Sequence, residues 1–186
     1  NVLPEPDRKA LLALARETID WFLSTKTAPL ARNPSPGTEQ TRGLFVTLKK
    51  HGDLRGCIGE IVAAKPLYRL VGPVALKSAL EDPRFRPLRP EELKDIEIEL
   101  SVLTPPAPVA GASDIVAGRD GVILRKDGRS AVFLPQVATE QGWGRDTMLD
   151  ELCRKAGLPA GSWKQGAQLY TFQAEVFSET DFKTAR

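Results

Sequence analysis

A chain of 186 residues has the length of one ordinary domain, with room for a small subdomain. Its 41% hydrophobic and 27% charged residues are those of a globular protein and exclude a disordered or membrane-bound one. The 26 basic against 24 acidic side chains leave a net charge of +2, and the basic residues are scattered, so nothing argues for nucleic acid as a partner.

No apolar run approaches the ~20 residues that span a bilayer, and the N-terminus has no basic, apolar, small-residue signal pattern. Asn1 stands where an initiating Met is expected, so the natural start is expected upstream. Cys57 and Cys153 make no disulfide framework, and a cytoplasmic protein with reduced thiols is expected. One histidine and no paired cysteines leave no zinc or iron–sulfur spacing, so neither a metal nor a cofactor is expected.

The first predicted element is a helix from about Asp7 to Ser24. Leu11, Leu14, Thr18, Ile19 and Phe22 recur at helical spacing, with Asp7 as N-cap. Residues 27–42 hold Pro29, Pro34, Pro36 and Gly37 and read as a long surface loop, of a length that often borders a site. Leu44–Leu48 and Leu54–Glu60 flank the polar turn Lys49-Lys50-His51-Gly52-Asp53 and predict a hairpin. Pro66 opens a helix to about Leu80, which Pro73 is expected to kink or to split at Gly72. Glu81–Leu88 reads as a rigid turn and Pro90–Leu93 as a short helical segment.

Ile96–Leu103 alternates apolar and polar residues, the cleanest half-buried strand of the chain, and Pro105-Pro106-Ala107-Pro108 is expected to end it. Gly121–Lys126 and Arg129–Leu134 flank an Asp127-Gly128 turn and predict a second hairpin. Two helices follow, Pro135–Gly142 and Arg145–Ala156, the second closed by Gly157 and Pro159. Gln168–Phe177 alternates again as the last strand. Hairpins and helices without strict strand–helix alternation predict an α+β fold, a largely antiparallel sheet flanked by helices. The chain reads as a single domain over 1–186, with its ordered core over about 7–177.

The stretch richest in chemistry is Leu54-Arg55-Gly56-Cys57-Ile58-Gly59-Glu60. Strand alternation places Arg55, Cys57 and Gly59 on one face, with Arg55 and Cys57 about 7 Å apart. A thiol near a guanidinium, beside glycines that leave room for a ligand, makes this the candidate site. Arg55 would lower the Cys57 pKa from ~8.5 or bind an anion. The bland alternatives are a small buried thiol and an Arg55 paired with Glu60 or Asp53. Asp82-Pro83-Arg84-Phe85 reads as a structural corner able to aim Arg84 into the site. Gln136 and Trp143 either contact a ligand or serve the backbone and a core edge. Cys153 falls with Leu149, Leu152 and Ala156 at helical spacing and reads as core.

Six segments taken in order carry a resemblance. They are Phe45-Val46-Thr47-Leu48, Leu54-Arg55-Gly56-Cys57-Ile58-Gly59, Asp82-Pro83-Arg84-Phe85, Leu134-Pro135-Gln136-Val137-Ala138, Gln141-Gly142-Trp143 and Leu152-Cys153-Arg154-Lys155-Ala156-Gly157-Leu158. Together, over about Lys9 to Phe177, they resemble the AmmeMemoRadiSam system protein A family, the AMMECR domain. The resemblance implies a larger and a smaller subdomain with the Arg-Gly-Cys motif near a cleft between them. It also implies association with a Memo-like protein and a radical-SAM protein, and supplies no established reaction.

Family members usually carry Gly-basic-His-Gly where this chain has Gly118-Arg119-Asp120-Gly121. A general base at that place would have to be Asp120, with a pKa far from neutrality unless buried. Two functions follow from these residues. The first is an accessory protein that presents Arg55, Gly56, Cys57, Gly59, Glu60, Arg84, Asp120, Gln136 and Trp143 to a small molecule or a peptide. The second is a cysteine-dependent transferase or hydrolase, with Cys57 as nucleophile activated by Arg55 and helped by Asp120, Glu60 or His51.

Overall fold

The computed structural model describes residues 2–183. The chain forms two compact units, one from the residues up to Leu103 together with those from Glu175 onward, the other from Thr104–Ala174. In chain order the first contains α1 (Glu5–Thr25), β1 (Leu44–Lys50), β2 (Asp53–Glu60), α2 (Leu67–Leu80) and β3 (Ile96–Leu103). The second contains β4 (Ala107–Pro108), β5 (Gly121–Lys126), β6 (Arg129–Phe133), α3 (Gln136–Gln141), α4 (Arg145–Lys155) and β7 (Gln168–Phe172). The final strand, β8 (Ala174–Ser178), returns to the first unit. One sheet has the order β2-β1-β3-β8 and the other β4-β7-β5-β6. The fold is mixed α+β, as expected. No helix of the described residues is long and apolar enough to cross a membrane.

In the first unit, Leu44, Val46 and Leu48 of β1 alternate with half-buried Phe45, Thr47 and Lys49. Ile96, Ile98 and Leu100 do the same on β3, which is buried at every residue from Leu100 to Leu103, and the apolar faces of both strands are buried in one core with Leu11, Ala15 and Ile19 of α1 and Val71 and Val74 of α2. The second unit has its own core, in which Val122 and Leu124 of β5 meet Leu149, Leu152 and Cys153 of α4.

Asp7 is not the N-cap of α1. The helix begins at Glu5, and Asp7 is buried in its first turn, where it accepts the Ser35 hydroxyl. Gly37 lies so close that a Cβ would overlap the Asp7 carboxylate, so residues 35–37 of the long loop are fastened to the helix start. The loop's regular piece is a 3-10 turn, Pro36–Glu39.

Pro73 does not split α2, which runs unbroken from Leu67 to Leu80. Proline leaves the carbonyl four residues back, that of Arg69, without its helical partner. Arg69 and Pro73 both lie on the exposed side of the helix, away from the core. The run Pro105–Pro108 follows the end of β3 at Leu103, as expected, and within it Ala107 and Pro108 pair with Thr171 and Tyr170 as a short edge strand. An edge tolerates a missing N–H, which an inner strand does not. The predicted last strand is two strands, since β7 pairs with β5 while β8 stands next to β3. The break falls at Gln173, whose N–H donates to Thr104 Oγ1 at 2.8 Å while its carbonyl accepts the Thr104 N–H at 2.8 Å.

α2 presses on β2 at one point. A Cβ on Gly56 would overlap the backbone carbonyl oxygen of Ser78. Beside it the Ser78 hydroxyl donates to the Val46 carbonyl at 2.7 Å and accepts the Ile58 N–H at 3.0 Å, filling a gap in the β1–β2 ladder. Gly56→Ala is expected to lower stability by about 1–3 kcal/mol through overpacking. Ser78→Ala is expected to cost a similar ~1–3 kcal/mol by leaving buried backbone groups unpaired. Urea unfolding checks both, and a wild-type midpoint for Gly56→Ala would show that the helix yields to a methyl group.

Candidate functional site

The hairpin that carries the Arg-Gly-Cys run is tighter than its sequence suggests. Lys50 pairs with Asp53 across the exposed two-residue turn His51-Gly52, both of positive φ. Pairing then proceeds from Lys49↔Leu54 to Leu48↔Gly56, so Arg55 is the extra residue of a β-bulge. Beyond the bulge Thr47 stands opposite Cys57 and Phe45 opposite Gly59, on the face away from the helical core.

The bulge separates Arg55 from Cys57. The Arg55 guanidinium forms a two-pronged pair with Glu92, Nε to Oε1 at 3.2 Å and Nη2 to Oε2 at 3.1 Å. Lys50 Nζ also reaches Glu92, at 3.1 Å. Glu92 is therefore held down at about 2, chiefly by Arg55, against burial and with help from the Arg89 N–H and Lys50. Neither Asp53 nor Glu60 is the partner of Arg55.

The cation beside the thiol is Arg84. Asp82, 4% exposed, takes the outward N–H of Cys57 on Oδ2 at 3.0 Å. The same carboxylate binds Arg84 through Nη2 at 2.7 Å and Nε at 3.0 Å, and accepts the Arg84 N–H at 3.1 Å. Arg84 Nη2 also lies 3.5 Å from the Cys57 carbonyl. The Asp-Pro-Arg turn thus meets both backbone groups of Cys57, where a further strand would otherwise pair. Asp82 is pushed well below the usual carboxylate range, first by the Arg84 hydrogen bonds, against burial, and then by the two N–H groups. The Phe85 ring stands under two guanidiniums, 5.4 Å from Arg84 and 6.0 Å from Arg55.

Cys57 itself is half-buried, with its Sγ 3.2 Å from Thr47 Oγ1. Burial pushes the thiol above its ordinary value and outweighs the lowering by Thr47 and by the Arg84 charge. His51 lies beyond Asp53, which is already four strand residues, about 13 Å, from Cys57. The glycines carry packing loads. Gly56 sits under Ser78, and a Cβ on Gly59 would overlap the Phe45 ring and the Leu44 carbonyl oxygen. Glu60 ends β2 with a half-buried side chain.

Asp120, Gln136 and Trp143 belong to the second unit. Asp120 is 1% exposed, and both its oxygens are engaged. Oδ1 accepts from Arg119 Nε at 2.9 Å and Gln173 Nε2 at 2.8 Å, and Oδ2 from the Val116 N–H and Arg119 Nη2, each at 2.9 Å. Burial would raise its pKa, but these donors prevail and hold it below the ordinary value. Its oxygens organise the loop before β5. Gln136 is exposed at the start of α3, and Trp143 is half-buried against Phe133 at 5.8 Å between ring centroids.

Thr47, Ser78 and Glu92 were missed as members of this neighbourhood. Thr47 follows from hairpin pairing once the bulge is known, whereas Glu92 carries no local signal of its partner. Among the described residues no group of three or more His, Cys, Asp and Glu side chains is placed to hold a metal ion.

Two four-stranded sheets, each with a helix-backed core, place the chain in the mixed α+β class. The chain belongs to the AMMECR1 family, whose model matches residues 12–177. It is 40% identical over 185 residues to a protein of Methanothermobacter thermautotrophicus, covering 95% of this chain and 96% of that one. Protein MK0488 of Methanopyrus kandleri is 41% identical over 181 residues, 92% of this chain and 87% of the other. The crystal structure of the uncharacterized protein PH0010 from Pyrococcus horikoshii is similar with a TM-score of 0.81 and 38% identity, over 91% of this chain and 90% of that chain.

Asp82 and Glu92 are both depressed in the folded state, against ~4 for unfolded carboxylates. The stability they contribute is complete above about pH 4–5 and drains away as pH falls through the folded values. Asp82→Asn should lower stability at pH 7 by about 2–3 kcal/mol, having removed the charged acceptor of Arg84 and Cys57. It should also flatten the acid limb of stability against pH. Urea midpoints between pH 2 and 7 read both effects, and an acid limb as steep as wild type would remove Asp82 from this account.

Proposed function

We propose that the chain is a binding protein that presents the face around Cys57, Thr47 and Arg84, beside Gly59 and the Arg55–Glu92 pair, to a small molecule or an extended peptide. We further propose that it is the AmmeMemoRadiSam system protein A of its kind, an accessory acting with a Memo-like protein and a radical-SAM protein. The single observation that carries the binding reading is the state of the thiol. Burial raises Cys57, Thr47 holds its sulfur, and the adjacent carboxylate is already committed to Arg84 and to the strand. A nucleophilic cysteine needs a thiolate near neutral pH or a base to make one. Arg84 is the feature that favours a cysteine-dependent transferase or hydrolase, and its charge is outweighed by burial. A half-buried thiol, a hydroxyl, an exposed guanidinium and an aromatic ring form a recognition surface instead.

Alkylation of Cys57 by iodoacetamide across pH, resolved from Cys153 by mass spectrometry, tests the thiol. The expected midpoint lies above ~8.5. A midpoint well below that value would put the nucleophile ahead. Gel filtration of the chain mixed with purified Memo-like and radical-SAM proteins tests the partnership. The expected result is a complex that Cys57→Ser leaves intact and Arg84→Glu weakens, and separate elution of all three proteins would refute it.

A further inference from the structure

The exposed stripe of α1 carries chemistry that the Cys57 face does not use. Glu17, Asp20, Trp21 and Ser24 follow one another at spacings of three and four residues, so they stand on one face of the helix. Thr25 comes one turn after Trp21, and the chain leaving the helix brings Pro29 beside them. These six residues line a cavity of about 520 Å³. Trp21 is 52% exposed here, and its Nε1–H donates to Thr27 Oγ1 at 3.1 Å, which fixes the ring.

Every donor among the lining side chains is already spent. Beside the indole bond, the Ser24 hydroxyl donates to the Asp20 carbonyl at 3.0 Å and the Thr25 hydroxyl to the Trp21 carbonyl at 2.8 Å. What remains is acceptor capacity, in two carboxylates, the Ser24 oxygen and the indole face. Glu17 and Asp20 form no ion pair among the described residues. Arg16, whose charge reaches Asp20, is bound through Nε and Nη2 to Glu179. Lys26 turns its ammonium to the Phe22 ring, 6.0 Å from its centre and off this stripe. The last turn of the 21-residue helix holds no basic residue, so its dipole adds negative potential near Ser24 and Thr25.

A cavity with an aromatic face, two carboxylates and no free donor fits a ligand that brings positive charge and donors alone. Ammonium and guanidinium groups have donors and no acceptor, and the face of an indole attracts both. The volume falls within the ~300–1,000 Å³ of small-molecule sites. We propose that this pocket binds an organic cation, an ammonium or guanidinium head on an aliphatic stem. Glu17 and Asp20 take the head against the face of Trp21, and the stem lies along Pro29. The proposal is independent of the reading of Cys57.

Indole and backbone amide shifts of the full chain, titrated with cadaverine and separately with agmatine at low salt, test it. A saturable shift of the Trp21 indole N–H is expected with at least one of the two, and the tighter one identifies the head group. The indoles of Trp143 and Trp163 should stay in place. Glu17→Gln combined with Asp20→Asn should weaken the binding roughly tenfold or more. Asp114→Asn combined with Glu140→Gln, the same loss of charge at exposed positions of the second unit, should leave it unchanged. Trp21→Leu, followed at the Thr25 amide, should weaken it about two- to fivefold. Shifts that sodium chloride reproduces at equal ionic strength, no saturation with either cation, equal losses in the two double variants, or unchanged affinity in Trp21→Leu would overturn the site.

Discussion

β2 is the outer strand of its sheet, and a strand in that position has backbone groups that must be met without a further strand. The chain meets this constraint with side chains. Asp82 takes the outward N–H of Cys57, Arg84 approaches its carbonyl, and Ser78 fills the ladder on the inner side between Val46 and Ile58. Much of the unusual sequence follows from this. Gly56 is glycine because α2 must come close enough for Ser78 to reach the strands. Asp-Pro-Arg is the turn that brings a carboxylate and a guanidinium to the strand edge together. Cys57 is then the position where the clamp closes, and its modest side chain leaves a thiol against Thr47 on the face away from the core.

The charges around β2 sort into two tight groups that do not share members. Arg84 belongs to Asp82, while Arg55 belongs to Glu92 together with Lys50, and Phe85 stands between the two guanidiniums. Carboxylates bound in this way stay ionised through the physiological range and act as fixed anchors for cations. They do not shuttle protons. In the second unit Asp120 has the same character, because its burial is matched by four donors. Asp82 and Asp120 are therefore architectural charges.

Much of the fold was legible. The helix over α1, the strand Ile96–Leu103, both hairpins and the two helices after Pro135 follow from periodicity and turn residues, which are local signals. The misses have local causes too. Asp7 resembled a cap because capping and burial against a loop use the same carboxylate. Pro73 resembled a break because sequence does not tell which side of the helix is wet. The single predicted last strand became two because alternation runs on through Gln173 while its pairing partners change.

Composition, periodicity and the placing of glycine and proline, all written in the sequence alone, determined the α+β class, the hairpin carrying Arg55, Gly56 and Cys57, and the core position of Cys153. The tertiary structure alone decided which groups meet. A plain two-residue turn would set Thr47 opposite Gly56, and the bulge at Arg55 moves it to Cys57 and takes Arg55 out of the alternation. A one-residue shift exchanges the faces of a strand, so no pattern with a period of two can announce it. Partners such as Glu92 for Arg55 and Asp82 for Cys57 lie 37 and 25 residues away. Their meeting depends on how α2 folds back over the sheet, a packing result that no local run of residues contains.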